Sequence, residues 1–193
     1  VSNNNTDVAG DVLNFTADYR HKFAENHTLS FSAVYGSWDG LVDNWLIERN
    51  ANENFEEGDL ASQLNSLKDE FSCNFRANVD YTKPLKTGKL ELGAQYRYES
   101  RVEDLLFRNY DVASSNWARN NLYSYHQDYA NSIYSGYAIY SDKLFGIDYQ
   151  LGVRSEFFTR NIEFDIESQP FDFEKFMLYP SVHLSKKISE EHQ

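Results

Sequence analysis

The chain alternates apolar and polar side chains in stretches that recur along its length. Between residues 71 and 81 every second residue is apolar or aromatic, and the residues between them are Ser72, Asn74, Arg76, Asn78 and Asp80. The stretch from residue 90 to 98 has the same pattern. A period of two places successive side chains on opposite faces of a β-strand. Because Pro84 and Gly88 lie between the two stretches, they predict an antiparallel hairpin with one apolar face.

The same alternation appears in five further stretches. They are residues 13–19, 29–35, roughly 126–141, 147–153 and 176–184. Strands that follow one another through turns pair most simply with their sequence neighbours. The pattern therefore predicts an all-β fold, an antiparallel up-and-down meander of about seven long strands.

The connections between these stretches alternate in length. Those at 23–27, 83–89 and 142–146 are short, whereas 37–69, 101–125 and 160–175 are expected to be long and irregular. The tail KKISEEHQ resembles the start of another short turn. Short turns at one end and long loops at the other are typical of an outer-membrane β-barrel. Residues 1–193 are accordingly predicted to form a single segment of a larger transmembrane β-barrel.

The apolar face continues across all the strands, and the opposite face carries many charges. In a barrel the apolar face contacts lipid and the polar face lines a wet interior. Aromatic residues lie near the short turns, where an interfacial girdle is expected: Tyr19, Phe23, Tyr81 and Tyr149. The alternative is a soluble sheet whose apolar face packs on a second layer.

Composition supports β-structure and excludes several functions. Aromatic residues make up 16% of the chain, and rings suit both a pleated surface and a lipid boundary. The net charge of −12 argues against nucleic-acid binding, because phosphates would be repelled. The single cysteine, Cys73, excludes an internal disulfide or a multi-cysteine metal site.

In each hairpin, one pairing register brings apolar residues opposite apolar residues on one face and polar residues opposite polar residues on the other. Around the first turn it pairs Tyr81 with Leu90, and around the DKLFG turn it pairs Tyr137 with Leu151 and Tyr134 with Arg154. With this register, the side chains predicted to face the lumen are Arg76, Arg97, Tyr134 and Arg154. Such arginines are candidates to contact a plug domain or an anionic solute, and the alternative is a ladder of charge pairs with neighbouring glutamates.

Three stretches carry a family resemblance: VDYTKPLKTGKLELGAQYRYES, YSGYAIYSDKLFGIDYQLGVRSEF and MLYPSVHLSKKISEEHQ. In this order they resemble the outer-membrane β-barrel family of Bacteroidetes-type TonB-dependent receptors. The resemblance extends over roughly residues 70–193. Before residue 70 only the general alternation of apolar and polar residues is similar, and no motif matches. It implies a bacterial outer-membrane location and a barrel of about 22 strands. It also implies an amino-terminal plug domain and an energy-coupling complex in the inner membrane.

No stretch of residues 1–193 resembles the plug domain or the closing carboxy-terminal strand of that family, so these residues are expected to be a barrel segment. The expected partners are outer-membrane lipid, the remainder of the barrel and its plug, and the inner-membrane complex. The function expected is the barrel portion of a TonB-dependent receptor or transporter for nutrient uptake. The alternative is a soluble β-rich binding or assembly module without a membrane role.

No catalytic or metal-binding set is apparent, and no cofactor is expected. The five histidines are scattered without ligand spacing, and paired carboxylates such as Asp80 and Glu91 are explained by solvation at a hairpin end. The chain is therefore not expected to be an enzyme. The segment 37–69, interpreted as an external loop, combines indoles with carboxylates that suit a glycan, peptide or cation: Trp38, Asp39, Asp43 and Trp45. The alternative is a loop that acidic residues merely keep soluble.

Overall fold

The computed structural model describes residues 1–167 and 169–186, which form one antiparallel sheet of eight strands. The strands are β1 (Ser2–Ala24), β2 (His27–Ala51), β3 (Glu57–Pro84), β4 (Gly88–Asp111), β5 (Asn116–Arg119), β6 (Tyr125–Leu144), β7 (Ile147–Phe164) and β8 (Phe171–Ser185). Seven long strands pair in chain order, and the short β5 pairs only with β4. The predicted all-β antiparallel meander is confirmed. No helix among the described residues could cross a bilayer.

The long strands extend far into the segments that were expected to be irregular. β3 has 28 residues and β2 has 25, so most of 37–69 is strand, as is the first part of 101–125. Asp43 pairs with Leu67 and Asp69 pairs with Asp104, with no regular alternation of apolar and polar residues there. The loop prediction is wrong for these residues, because strand pairing needs only the backbone, whereas alternation needs one wet and one apolar face. Residues 187–193, where a turn was expected, lie outside the described range.

The sheet is a single layer. No hydrophobic side chain of the described residues is buried, and large apolar side chains remain exposed along one face, including Phe15, Val79, Leu92, Leu151 and Val182. A soluble sheet would cover such a face with a second layer, and the described residues supply none. Apolar surface of this extent is stable only against an apolar environment.

The turns set a different register from the predicted one. Around the first hairpin Tyr81 pairs with Leu92 instead of Leu90, a shift of two residues that leaves the faces unchanged. In the next hairpin the turn is only Phe145 and Gly146, both with positive φ (50° and 78°). Tyr134 therefore pairs with Phe157 instead of Arg154. This odd shift moves Tyr134 to the other face, so its predicted lumen-facing position is wrong.

The outer strands β1 and β8 each have one edge without a partner among the described residues. β1 has 23 residues and β8 has 15, so both edges present long rows of backbone donors and acceptors. A closed barrel has no open edges. The sheet thus has the form of a segment whose neighbours on both sides complete a larger barrel.

Candidate functional site

The register divides the side chains of the sheet between two faces. One, here called the apolar face, carries every second residue of each strand, for example Phe31, Val79, Leu92, Ala138, Leu151 and Val182. The other, the polar face, carries the alternate residues, for example Ser32, Asn78, Gln95, Ser135 and Glu156. Hydrogen bonds cross the polar face from strand to strand, as from Gln95 through Asn78 to Ser32. The polar face is therefore where recognition of polar groups is possible.

The three arginines predicted to face the lumen all lie on the polar face. Arg76 on β3 and Arg97 on β4 are directly opposite each other. Arg154 on β7 instead binds its neighbour Glu156, with 2.6 Å between Nη2 and Oε1. Tyr134 lies on the apolar face, where its ring stacks on Tyr96 at a centroid distance of 4.8 Å.

Arg76 and Arg97 open onto a hollow of about 530 Å³ on the polar face. Its polar lining also includes Ser72, Asn74, Glu99, Arg101 and Tyr129. Neither Arg76 nor Arg97 forms an ion pair with a carboxylate of the described residues, although Arg101 does. Two opposed guanidinium groups without an acidic partner repel each other and favour an incoming anion.

The middle of the polar face contains polar atoms without partners. Four buried side-chain atoms of the described residues form no hydrogen bond: Arg97 Nε, Asn131 Oδ1, Ser135 Oγ and Arg160 Nε. All four belong to neighbouring strands β4, β6 and β7, and all are on the polar face. Buried polar groups are normally paired with protein or ordered water. The arrangement indicates that another polar surface, or water, contacts this region.

A second charged group lies farther from the short turns. Glu70 and Glu103 are opposite each other and only 8% and 7% exposed. Lys68 Nζ is 2.6 Å from Glu70, and Arg101 Nε is 3.4 Å from the same carboxylate. The Tyr125 hydroxyl donates to Glu103 at 2.6 Å, and this bond, with burial, raises the pKa of Tyr125 to about 12.

The sequence pattern does not reveal this group, because Lys68, Arg101, Glu103 and Tyr125 fall in segments interpreted as loops and Glu70 directly follows one of them. Without strand pairing there was no reason to place Glu70 beside Glu103. The available signal was the recurrence of charged residues at even spacing, with Lys68 and Glu70 on one strand and Arg101 and Glu103 on the next.

The four residues proposed for ligand binding lie in strand β2, not in a loop. They are also divided between the faces, because Trp38 is on the polar face and Asp39, Asp43 and Trp45 are on the apolar face. The Trp38 indole lies over the facing pair Gly10 and Gly40. A Cβ added at either glycine would come within 2.6 Å of this ring, so Trp38 fills the space that two missing side chains leave.

Asp43 and Trp45 instead join a cluster on the apolar face. Asp43 accepts a hydrogen bond of 2.6 Å from Asn65 Nδ2, and Asn65 is fully buried. The Trp45 ring meets Trp117 of β5 edge to face at 5.5 Å. Asp39 has no part in this cluster.

No group of three or more histidine, cysteine or acidic side chains with the geometry to hold a metal ion occurs in residues 1–167 and 169–186. Acidic side chains such as Glu70 and Glu156 are paired with basic neighbours instead. What the polar face can do chemically is bind through charge and hydrogen bonds.

Comparisons with known proteins place this architecture. Residues 21–193 match the model of the outer membrane protein beta-barrel family. The fold is similar to the ferric citrate transporter FecA in its unliganded form (TM-score 0.59, 11% identity, 95% of this chain and 26% of that one). It is also similar to BauA, the ferric preacinetobactin receptor from Acinetobacter baumannii (TM-score 0.54, 11% identity, 96% of this chain and 29% of that one). No curated protein matches the sequence.

The chain thus spans between a quarter and a third of the length of these solved structures. The low identity limits what they share with it to the fold. The family match covers most of the chain, and it explains the exposed apolar face as a lipid-contacting surface of the bacterial outer membrane. This chain belongs to the outer membrane protein β-barrel family.

Proposed function

We propose that this chain is the barrel portion of a TonB-dependent receptor that takes up a nutrient across the outer membrane. In this function the polar face lines the barrel interior, and it works by binding and guiding solutes, not by catalysis. The supporting observations are the single-layer sheet, its open edges and the similarity of its fold to a ferric citrate transporter and a ferric preacinetobactin receptor.

The observation that carries the proposal is the unpaired polar chemistry of the polar face. The opposed pair Arg76 and Arg97 has no carboxylate partner among the described residues, and Arg97 Nε is buried without a hydrogen bond. A polar lumen that only conducts water would need no such arginine pair. An anionic group from a plug domain or from a passing solute would satisfy it.

The partners in this function are the remainder of the barrel, a plug domain and an inner-membrane energy-coupling complex. They follow from the proposed receptor class. The two neighbours whose folds it shares are named for ferric ligands, so a ferric chelate is the first nutrient to test, followed by other solutes too large for diffusion.

Uptake in cells tests the proposal. The gene of the full-length protein is deleted, and growth is compared on ferric chelates, cobalamin and oligosaccharides, each as the limiting source. We expect slower growth on one of these, restored by the wild-type gene and much less by the double variant Arg76→Glu and Arg97→Glu. Charge reversal replaces attraction of an anion by repulsion, which costs several kcal/mol when charges are close and partly desolvated.

The control is Lys83→Glu, a single charge reversal in β3 beside the short turn and away from the arginine pair. It should restore growth fully at equal surface abundance. Equal rescue by the arginine double variant at equal surface abundance contradicts a role for the arginine pair. Unchanged growth of the deleted strain on every nutrient contradicts a role in uptake. In a strain without inner-membrane energy coupling, the deletion should cause no further growth defect, and a defect of the same size there contradicts coupled uptake.

A further inference from the structure

A basic and aromatic patch lies on the apolar-face side of the sheet, beyond its apolar band. The patch, here called the Trp117 patch, consists of Trp45 on β2, Arg108 and Tyr110 on β4, and Trp117 and Arg119 on β5. The pairing Tyr110–Trp117 and Arg108–Arg119 places all four β4 and β5 residues on this face. Because the patch is on the side opposite the polar face, it lies outside the proposed transport path.

The patch is built on a buried amide. Asn65 is fully buried, and its Oδ1 accepts hydrogen bonds from both Nε (3.1 Å) and Nη2 of Arg108. The Arg108 guanidinium is 5.8 Å from the Trp117 ring centroid, within the range of a cation–π contact. Trp117 is flanked by Trp45 at 5.5 Å and by Tyr110 at 5.3 Å. These contacts hold the rings and one guanidinium in place before anything binds.

The charges of the patch are unbalanced. Arg108 and Arg119 are directly opposite each other, and neither forms an ion pair with a carboxylate of the described residues. Like charges opposite each other destabilise a strand pair. The nearest carboxylate in the cluster, Asp43, accepts its hydrogen bond from Asn65 and forms no ion pair with either arginine. The two adjacent arginines therefore keep donors that an anion can bind.

The position of the patch along the strands indicates which anionic groups can reach it. It lies at the end of the sheet away from the two-residue and other short turns, which in an outer-membrane barrel is the outer side. On this face of β4, Leu106 is the one apolar residue between the charged Asp104 and Arg108, so the continuous apolar band ends at Val102. Arg108 lies about 20 Å farther along the strand at about 3.3 Å per residue, or about 15 Å above the apolar band at the usual tilt. That height is within the sugar layer of outer-leaflet glycolipids.

We propose that the Trp117 patch binds a phosphorylated saccharide of an outer-leaflet glycolipid. Arg119 and the free edge of Arg108 contact the phosphate, and the Trp117 and Tyr110 rings stack on the sugar. The surface is continuous with the lipid-contacting face below it, so a membrane glycolipid reaches it without leaving the bilayer.

Binding measurements on the full-length protein in detergent micelles test the inference. The probes are a rough-type lipopolysaccharide with phosphorylated core sugars, the same glycolipid after dephosphorylation, and inorganic phosphate. We expect Arg119→Gln to weaken binding of the phosphorylated glycolipid about tenfold, the scale of one charge-assisted hydrogen bond. Trp117→Ala should weaken glycolipid binding and leave phosphate binding unchanged. Far-UV circular dichroism verifies that each variant is folded.

The matched control is Arg49→Gln, because Arg49 is an exposed arginine at the same end of the sheet whose Nε already has an acidic neighbour, Glu57, at 3.8 Å. It should bind like the wild type. Equal affinity of the wild type and Arg119→Gln overturns the inference, as does equal binding of the dephosphorylated glycolipid. Phosphate that binds as tightly as the glycolipid identifies a free-anion site instead, and no binding of any probe leaves a protein partner as the occupant.

Discussion

At the residue scale, His126 is the ionisable side chain whose surroundings make the clearest pH-dependent contribution. Its Nδ1 is 2.8 Å from Asp104 and its Nε2 is 3.3 Å from Asp128, and its backbone N–H donates to Asp165. The hydrogen bond to Asp104 raises the pKa of His126, with Asp128 adding to the effect against some desolvation. This group lies beyond the apolar band, so it is exposed to the pH outside the membrane.

The protonated form of His126 is therefore favoured by folding. Because its folded pKa lies above the unfolded value of about 6.5, the stabilisation is complete below pH 6.5 or so. It is lost as pH rises through the folded pKa. We expect NMR titration of the full-length protein to give His126 a pKa above 6.5, and Asp104→Asn to lower it. Asp39→Asn, which removes an aspartate of the same face far from His126, should leave the titration unchanged; a pKa insensitive to both variants would contradict the assigned cause.

At the element scale, a single turn decides the faces of two strands. Phe145 and Gly146 both have positive φ, which is the geometry of a two-residue type I′ hairpin turn. Glycine is suited to such a position, because it has no Cβ to clash with the backbone. This turn sets the pairing Leu144–Ile147 and hence every pair of β6 with β7.

Gly146→Ala should lower the free energy of unfolding by about 1 kcal/mol, the cost of a left-handed conformation for an L-residue. A Cβ at Gly146 meets no atom within 4 Å, so the effect would come from the backbone alone. The control is Gly136→Ala, where φ is not positive and the nearest atom would be 3.8 Å away. Urea unfolding of both variants refolded in lipid vesicles provides the comparison. Equal stability of the two variants would mean that the positive φ at Gly146 carries no cost for a residue with a Cβ.

At the scale of the whole molecule, the sheet derives its stability from two different environments. Its apolar face has no protein layer on it, and its polar face contains buried groups that only water or a second polar surface can satisfy. A chain with no buried hydrophobic side chain among its described residues cannot rely on a core. The membrane takes the place of that core on one face.

A pair of neighbouring residues tests which face is wet. Val79 is on the apolar face and Asn78 is on the polar face of the same strand, β3. Val79→Arg should lower stability in vesicles by about 2–4 kcal/mol, the cost of a guanidinium near the midplane of a membrane β-barrel. Asn78→Arg should cost much less.

Cysteine labelling separates this effect from burial in a protein core. With Cys73 replaced by Ser, a single cysteine at position 79 or 92 of the full-length protein should react with a lipid-phase probe. A cysteine at 78 or 95 should react with a water-soluble one. Equal aqueous reactivity at all four positions would exclude lipid from this face.

The sequence by itself determined which side chains share a face within each strand. Alternation is a local property, since the backbone of one strand is enough to place Arg76 opposite in direction to Val79. For the same reason the polar positions of Arg76, Arg97 and Arg154 could be predicted, whereas the strand order followed from the turns that join neighbouring strands. The predicted faces held in strands with one clearly apolar side. They failed for Tyr134, because β6 carries tyrosines on both of its faces.

Only the tertiary structure decided how far the strands continue and how they are aligned. Beyond the apolar band both faces are wet, so the sequence of β2 around Asp39 and Asp43 no longer alternates although its backbone remains paired. Register depends on turn geometry and on a partner strand, and a shift of three residues was enough to move Tyr134 to the apolar face. The opposed arginines, the Glu70–Glu103 pair and the Trp117 patch all result from these alignments, because each joins residues that are distant in the chain.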